Sequence, residues 1–535
     1  MFTRFCSLLF ILVLGLFSST GWALTINRGG TGTNNYLFID NDVDREFFIT
    51  SSNTDPRFTG ANIWTRYSSR QTSLGYMGYS GWNNANYYFD LWIENSPISQ
   101  PFLGIRCMST GANCPAAGYI APDAVDKQGL YHTMSGSNVA NGSYGAGTLS
   151  PSAYQYFRNQ TVGAQDTIDL NLCYTRINYD YQSGNRCKDL TRDGTWRQYT
   201  MVLNKYGHLN LNSTNAMAEI WVASDGSPSV SLGSELCQTG VVRNISGLIC
   251  KVISYKLNQT KAITSLNFTM LIDNAILGFN PANRDVQYSG NSTDWNYYNS
   301  STRFDRLFSN SGDYIYVFFS SDFFKKSLAA GTSLGNGESA FTFSFTNSAT
   351  SQSGYYQFTP STRINILPRE YGISIVASNG NAAPKASGKI GDSAPIELEY
   401  KVTTSAARQA DSITAQVIGA SKKIGGLWWC VFSSPEGDLD VPIPAYLSWT
   451  ANNGAVVRQR NSCGEDPVDM TKARWVQTAW NANVNEGYFY ATTLKLQFPM
   501  DESRSRYTVE GQEWMGAVSA SGEIRVTAKW IGVNR

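Results

Sequence analysis

Short runs of alternating apolar and polar residues dominate the chain from Leu24 onward, and clusters of Gly, Asn, Ser and Pro separate them. The last run shows the pattern most clearly, with polar residues interleaved between Ile524, Val526, Ala528 and Trp530. A period of two predicts strands with one buried and one solvated face. No stretch sustains an amphipathic helical period with proper caps, and the best helical candidates are the short segments around residues 152–159 and 321–328. The pattern predicts an all-β, multi-domain chain of sandwich or barrel units.

Residues 1–23 have the features of a secretory signal peptide. Arg4 precedes an apolar stretch at residues 8–17, and small residues ending in Gly21-Trp22-Ala23 follow it. The apolar stretch is too short to cross a bilayer. We therefore expect cleavage after Ala23 and an exported mature chain, since no other stretch is apolar enough to span a membrane.

The charge balance gives no sign of a nucleic-acid or membrane partner. Of the 42 Lys and Arg residues, Arg4 leaves with the signal peptide, so 41 remain against 41 Asp and Glu. A chain near neutrality lacks the positive field that attracts nucleic acid or an anionic membrane. The aromatic content of 13%, with 30 Tyr, is typical of sheets and turns rather than of helical bundles.

Eight of the 9 cysteines remain once Cys6 leaves with the signal peptide. They fall into neighbouring couples that frame Gly- and Asn-rich hairpin material, and an exported protein can oxidise them. Many other connectivities are possible, so the sequence alone does not prove the pairing. Zinc binding is not favoured, because no couple has CxxC spacing and the chain has only His132 and His208. Nearest-neighbour pairing would join Cys107 to Cys114, Cys173 to Cys187, Cys237 to Cys250, and Cys430 to Cys463.

A domain boundary is expected near "PSTRINILPREYG", where Pro360 and Pro368 bracket a strand. Residues 368–535 contain some seven alternating runs, which suits one immunoglobulin-like sandwich. Residues 24–367 are too many for one ordinary sandwich. They are expected to form a larger N-terminal region, which could hold two β subdomains, although the sequence shows no clean seam.

Two motifs resemble known sites, but neither predicts a catalytic or metal site. Residues 331–335 match GxSxG, but Gly-rich sequence flanks them and no His follows Ser333. Residues 40–44 resemble the start of a calcium loop, but Arg45 and Ser51 replace the Gly and Glu that such a loop needs. This segment is expected to be a solvated turn, and no cofactor is predicted.

Asp90 and Glu94 share one face of the strand "FDLWIE", with Trp92 between them. Four residues along a strand span about 13 Å, which is wider than a glycosidase carboxylate pair requires. Trp92 is instead a weak candidate for receptor binding, because a sugar ring can pack on an exposed indole. The alternative is that a neighbouring sheet or loop covers Trp92.

Several long stretches together resemble the EcpD family, the tip adhesins of the enterobacterial common pilus, or Mat fimbria. They include "DPRFTGANIW" (55–64), "FDLWIENSPISQPFLGIRC" (89–107), "SGNRCKDL" (183–190), "IYVFFSSDFFK" (315–325), "WWCVFSS" (428–434) and "VSASGEIRV" (518–526). The resemblance implies a non-enzymatic fimbrial tip adhesin at the cell surface, with its N-terminal region binding a host-cell receptor that could be a glycan. Arg66, Arg70 and Arg106 are not assigned to any receptor patch.

The resemblance also implies that residues 368–535 form an incomplete immunoglobulin-like pilin domain that lacks its last strand. A periplasmic chaperone, and then the major pilin, would supply that strand by adding it to the sheet edge, and an outer-membrane usher would export the subunit. The segment "TINRGGTGTNN" after the cleavage site is too polar to serve as a donor strand, so the subunit is expected at the fibre end. One wall of the acceptor groove is expected to consist of Val518, Ile524, Val526, Ala528 and Trp530.

A second class of function remains open from the sequence. The chain could be an exported carbohydrate-binding or carbohydrate-active β-protein that acts outside a pilus. An incomplete terminal domain distinguishes the two hypotheses, because a free secreted enzyme has no use for an open groove.

Overall fold

The computed structural model describes residues 23–51, 57–63, 65–67, 71–79, 86–107, 115–134, 145–214, 216, 219–230, 235–334, 340–347, 355–360, 364–379, 384–481 and 484–532. The predicted signal peptide lies outside these residues except for Ala23, so its cleavage stays a prediction. Within the described ranges, no helix combines the length and apolar character that crossing a membrane requires.

The first region of the chain is built from fourteen strands and one helix among its described residues. The strands are β1 (Ile26–Asn41), β2 (Phe47–Ser51), β3 (Phe58–Ala61), β4 (Thr65–Tyr67), β5 (Gln71–Ser73), β6 (Tyr76–Tyr79), β7 (Tyr88–Ile93), β8 (Phe102–Arg106), β9 (Tyr119–Ile120), β10 (Ala124–Val125), β11 (Gly129–Met134), β12 (Gly145–Leu149), β13 (Gln165–Thr175) and β14 (Gly194–Ser213). The helix is α1 (Pro151–Asn159), in the place that the sequence predicts. It begins there because Ser150 Oγ accepts a hydrogen bond from the Ala153 N–H and proline occupies the first turn.

The middle region continues the same sheet and adds two smaller ones. Its strands are β15 (Ile220–Val222), β16 (Pro228–Val230), β17 (Cys237–Val242), β18 (Ile245–Gln259), β19 (Leu266–Ile272), β20 (Val286–Ser289), β21 (Asn296–Tyr297), β22 (Thr302–Arg303), β23 (Tyr314–Ser320), β24 (Ser333–Leu334), β25 (Phe341–Asn347), β26 (Tyr355–Phe358) and β27 (Ile364–Pro368). Its helices are α2 (Asn274–Leu277) and α3 (Ser321–Ala330). The second of these confirms the helix predicted around residues 321–328, with Ser320 capping its start and Gly331 its end.

The long strand β14 joins the first and middle regions. Its first half pairs with β13 and its second half with β18, while β1 runs parallel to it along nearly its whole length. The polar segment at the start of β1, which the sequence predicts to be too polar for a donor strand, therefore pairs within the chain's own sheet. A single strand that serves both regions explains why the sequence shows no seam between them.

Two hydrophobic clusters lie on opposite faces of this shared sheet. Tyr36 and Phe38 belong to the cluster of the first region, whereas Leu37 and Ile39 belong to the cluster that fills the middle region. The end of β1 is therefore buried on both faces, as its continuous apolar sequence requires.

The C-terminal region is an immunoglobulin-like sandwich. Its strands are β28 (Gly372–Ala377), β29 (Ile396–Ala406), β30 (Ser412–Gly419), β31 (Ser421–Ile424), β32 (Leu427–Ser433), β33 (Asp440–Ile443), β34 (Tyr446–Thr450), β35 (Val456–Arg460), β36 (Val468–Asp469), β37 (Val476–Asn481), β38 (Val484–Phe498) and β39 (Gly522–Lys529). One sheet has the order β28-β29-β38-β34-β35, with β37 also on β38, and the facing sheet has the order β36-β30-β39. A third sheet, β31-β32-β33, lies beside them.

Candidate functional site

The last strand of the C-terminal sandwich, β39, lies at the edge of its sheet. It pairs antiparallel with β30 from Ser412↔Lys529 to Gly419↔Gly522. No strand among the described residues pairs with its other edge. The alternation seen in the sequence is present, because Ile524, Val526 and Ala528 face the core while the residues between them are exposed.

Burial decreases sharply from β30 to β39, although the paired residues face the same interior. On β30, Ile413 and Ala415 are 0% exposed, whereas their partners on β39, Ala528 and Val526, are only half-buried. Directly paired residues on one face of a sheet have Cβ atoms only about 5 Å apart, so a facing layer that extends over both strands would cover both. The interior of the sandwich is therefore open along the outer edge of β39.

The opposite side of this opening is formed by β28, the edge strand of the other sheet. β28 pairs with β29, and it approaches β39 without pairing with it. The half-buried side chains of β28 and β29 pack on the same core cluster as those of β39. They are Ile373, Ile375, Leu398 and Tyr400. We call the space between β28 and β39 the edge groove.

One end of the edge groove is closed by aromatic and polar contacts. Trp530 packs edge-on against Tyr371 at a ring separation of 5.6 Å, and its indole N–H donates to the Arg408 carbonyl at 3.1 Å. Asp411 accepts a hydrogen bond from the main-chain N–H of Ile531. The Arg408 guanidinium on the same carboxylate lowers the pKa of Asp411 to about 2. The end of β39 is thus fixed in place beside the start of β28.

The predicted groove residues differ in position. Ile524, Val526, Ala528 and Trp530 all pack on the main core of the sandwich. Val518 precedes β39 and lies in a neighbouring cluster with Val441, Ile443 and Met500. The sequence could not separate the two groups, because β39 begins only at Gly522, while Ser519 pairs as an isolated bridge with Ser433 beside the third sheet.

Trp92, the weak candidate for receptor binding, does not reach the surface. It is 2% exposed and packs against Trp196 at a ring separation of 5.7 Å. Its indole N–H donates to Glu94 at 3.0 Å. The hypothesis of an exposed sugar-binding indole is therefore wrong, and the alternative of a covered Trp is correct.

Asp90 lies in the interior next to Trp92, where it organises main-chain and side-chain groups. Its carboxylate accepts hydrogen bonds from the main-chain N–H of His132 at 2.9 Å and of Cys187 at 2.8 Å, and from the Tyr179 hydroxyl. Burial raises the pKa of Asp90, and these hydrogen bonds oppose the rise. A carboxylate enclosed in this way is a structural element rather than one of a catalytic pair.

The three unassigned arginines provide no receptor patch in the described residues. Arg106 is 2% exposed, and its guanidinium lies 3.6 Å from the centre of the Tyr76 ring. Arg66 is on β4, where only the backbone is described, and Arg70 lies outside the described residues.

The GxSxG match at residues 331–335 and the calcium-loop resemblance at residues 40–44 are also structural features. In the GxSxG match, Gly331 caps α3 and Ser333 begins a short strand, which is the reverse of a nucleophile elbow. The segment 40–44 is only partly the solvated turn that was predicted. Asp40 is 1% exposed and binds Arg158 and Asn210, so the start of this segment belongs to the interior. The described residues contain no group of three metal-binding side chains.

Three of the predicted cysteine couples are disulfide-bonded in the structure. They are Cys173–Cys187, Cys237–Cys250 and Cys430–Cys463. Cys107 is also disulfide-bonded, but Cys114, its predicted partner, lies outside the described residues.

Peptide mapping of the oxidised mature chain should recover four local disulfides. Digestion without reduction is expected to give one linked peptide pair for each neighbouring couple, including Cys107 with Cys114. Mass spectrometry before and after reduction measures the pairing. A linked peptide that joins cysteines of two different couples would contradict the scheme.

Family models match the chain along three consecutive segments. The model of the E. coli common pilus adhesin EcpD N-terminal domain matches residues 25–209, and that of the middle domain matches residues 213–363. The model of the EcpD C-terminal domain matches residues 370–528. The last segment contains β28 and all of β39 except its final residue.

Curated relatives match over the same length. The Fimbria adhesin EcpD proteins of Escherichia coli K12, O157:H7 and O18:K1:H7 are each 38% identical over 535 residues, covering 97% of this chain and 95% of theirs.

Two solved structures share less with the chain. The CsuC-CsuE chaperone–tip adhesion subunit complex of Acinetobacter baumannii is 8% identical, with a TM-score of 0.17, over 58% of this chain and 99% of that one. CfaE, the adhesive subunit of the CFA/I fimbria of enterotoxigenic E. coli, is 10% identical, with a TM-score of 0.17, over 60% and 86%. At TM-scores this low, neither structure bears on the function of this chain.

The family matches decide between the two classes of function that the sequence left open. They support an exported adhesive protein of the cell surface, not an enzyme or a free carbohydrate-active protein. With matches to all three domain models and 38% identity over 97% of its length, the chain belongs to the EcpD family of common-pilus fimbria adhesins.

Proposed function

We propose that this fimbria adhesin is the terminal subunit of its fibre and that the edge groove accepts a donor strand from the major pilin. The single observation that supports this proposal most directly is the fall in burial from β30 to β39 across one continuous interior face. An extended segment that pairs with β39 would cover the half-buried side chains and satisfy the free main-chain edge at the same time.

Insertion of a donor strand requires β28 and β39 to separate. Two strands that flank a third are about 9.5 Å apart in the direction of the hydrogen bonds. β28 makes main-chain hydrogen bonds to β29 alone among the described strands, so its outward shift would disturb only one strand pairing. In this proposal, a periplasmic chaperone occupies the same groove before the pilin does, and an outer-membrane usher exchanges one for the other.

The two parts of the chain have different binding functions in this proposal. Residues 368–535 attach the subunit to the fibre, and residues 24–367 bind the host-cell receptor. The start of the mature chain does not donate a strand to another subunit, because Ile26–Asn41 pairs with β14 in its own domain. A subunit that accepts a strand and donates none has its place at the fibre end.

Fusing the N-terminal extension of the major pilin after Arg535, through a flexible linker, is expected to raise the melting temperature of the mature chain. Each apolar side chain buried by the added strand is worth roughly 1.5–3 kcal/mol. Several such side chains should raise the melting transition of the C-terminal domain by about 10 °C or more. Differential scanning calorimetry of fused and unfused chains measures the shift.

The control is a fusion of identical length and composition with a scrambled donor sequence, which should leave the transition unchanged. Size-exclusion chromatography should also show that the true fusion is monomeric while the unfused chain associates. A monomeric unfused chain that melts as high as the fusion would show that the domain is already complete.

A further inference from the structure

An open cleft lies on the middle region, between the turn that joins β17 to β18 and the loop that joins β20 to β21. Its volume is about 540 Å³, which lies within the range of small-ligand sites. The residues that line it and carry the argument are Val241, Arg243, Ser292, Asp294, Trp295 and Asn296.

Trp295 is held firmly in the wall of this cleft. Its ring stands edge-on to the buried Phe318 at a separation of 6.1 Å. Its main-chain carbonyl accepts a hydrogen bond from the Arg243 guanidinium at 2.6 Å. Val241, at the rim, is 65% exposed. The cleft is therefore lined by a fixed indole beside an exposed apolar side chain.

The turn that carries Arg243 holds this residue in a backbone conformation that arginine rarely adopts. Arg243 and Asn244 have φ of 49° and 64°, so they form the two-residue turn with both residues left-handed that favours Asn and Gly. Asn244 suits this conformation, but an arginine does not. Residues kept in unfavourable conformations concentrate at functional sites. Here the residue in the unfavourable conformation is Arg243. Its guanidinium lies beside the cleft, 4.6 Å from the centre of the Tyr297 ring.

The facing loop orients a carboxylate. The Asn291 side chain accepts hydrogen bonds from the N–H groups of Thr293 and Asp294 and donates to the Asp294 carboxylate at 2.8 Å. Ser292 between them has a φ of 61°. Asp294 is thereby fixed on the side of the cleft that lies across from Arg243.

The charges and shape of the cleft select one class of ligand. Arg243 and Asp294 are both exposed and balance each other, so the cleft favours neither an anion nor a cation. Guanidinium, carboxylate and amide groups are planar and bind pairs of adjacent hydroxyls, whereas the face of an indole packs on C–H groups. We propose that this cleft binds one residue of an uncharged saccharide, which stacks on Trp295 and bonds to Arg243, Asp294 and Asn296.

A row of rings continues from the cleft along the same side of the sheet. Phe318, Tyr316 and Tyr314 are alternate residues of β23 and so lie on one face. Tyr316 and Tyr314 are half-buried, with a ring separation of 6.4 Å, and the Lys251 ammonium lies 4.8 Å from the centre of the Tyr314 ring. Phe318 is fully buried, but the two half-buried tyrosine rings can hold further residues of the same saccharide, so oligosaccharides should bind more tightly than monosaccharides.

The inference rests on the proposed function, because it names the receptor class of the region that binds the host cell.

The test applies the full mature chain to an array of uncharged oligosaccharides with pentose, hexose and N-acetylhexosamine ends, together with sialylated counterparts. Binding to at least one uncharged oligosaccharide is expected. Arg243→Asn should weaken it at least tenfold and leave the melting temperature unchanged or higher, because Asn is favoured in this turn. Trp295→Ala should weaken it as much.

Arg192→Asn is the matched control, since Arg192 lies on a surface turn with its side chain 85% exposed, and it should change binding less than twofold. The inference is overturned if only sialylated glycans bind, if no glycan binds, or if Arg243→Asn and Trp295→Ala both bind as the parent does. Adherence of the same proteins to cultured host cells distinguishes failure of the saccharide proposal from failure of the proposed receptor role. Adherence without glycan binding would reject the saccharide alone, whereas absence of adherence would reject the receptor role of residues 24–367.

Discussion

Val526→Asp is expected to abolish the gain in melting temperature that a fused donor strand gives to the mature chain. Val526 sits in the middle of β39, pairs with the fully buried Ala415, and packs on the sandwich core. When a donor strand covers the groove, an aspartate at this position would be buried without a partner charge. The cost of burying an unpaired carboxylate exceeds several kcal/mol, as much as the donor strand contributes. Calorimetry of the fused chain with and without the substitution measures the effect.

Arg525→Asp provides the matched control one residue away. Arg525 is exposed on the outer face of the same strand, where its guanidinium contacts Glu523 at 2.7 Å. Exposed ion pairs of this kind contribute little, so we expect a change in melting temperature of no more than a few degrees. If Val526→Asp and Arg525→Asp had equal effects on the fused chain, β39 would not line the donor-strand site.

The strands at the end of the chain could be predicted from the sequence because polar residues separate the apolar ones in "EIRVTAKW" and "PIELEYKVTT". The structure places both runs in strands. The alternation of burial holds along β39 and along residues 396–400 of β29, whereas residues 402–406 of β29 are buried on both faces. The other wall of the edge groove was missed. "YGISIVAS" is one of the alternating runs in residues 368–535, but its alternation does not reveal that Ile373 and Ile375 share a core with β39, since strand neighbours across a sandwich depend on topology.

The site residues were less predictable than the strands. An exposed and a covered Trp have the same local sequence, so the burial of Trp92 depended on Trp196, about a hundred residues later. The cleft at Trp295 carried a weak local signal, because "VVRNIS" places Arg-Asn where a tight hairpin favours Asn-Gly. Recognising it as a site required the loop at residues 292–296, which only the fold brings to that turn.

The sequence shows no seam within residues 24–367 because the first and middle regions share a strand and a hydrophobic core. The family matches place a boundary between residues 209 and 213, and this point falls near the end of β14. Leu209 and Leu211 of that strand belong to the middle-region core, together with Ile39 and Phe48 of the first region. The boundary between the matched N-terminal and middle domains therefore does not separate two hydrophobic cores.

A fragment of residues 24–209 is therefore expected to be insoluble or to melt without cooperativity, whereas a fragment of residues 24–367 should show one cooperative transition. Truncation would expose Leu37, Ile39, Phe48 and Leu209, all 0% exposed in the intact chain, and remove the β18 partner of β14. Exposing four such side chains costs roughly 6–12 kcal/mol, comparable with the whole stability of a domain.

The middle region also supplies specific contacts that the short fragment would lose. Phe48 stacks on Tyr356 at a ring separation of 5.8 Å, and the Asn347 side chain donates to the Ser51 carbonyl at 2.8 Å, so β2 is anchored by strands far along the chain. Circular dichroism melting and size-exclusion chromatography of the two fragments measure the difference. A monomeric 24–209 fragment with a cooperative transition close to that of 24–367 would mean that the core beneath β1 is complete without β18. In that case the shared strand β14 would connect two independent domains rather than unite one.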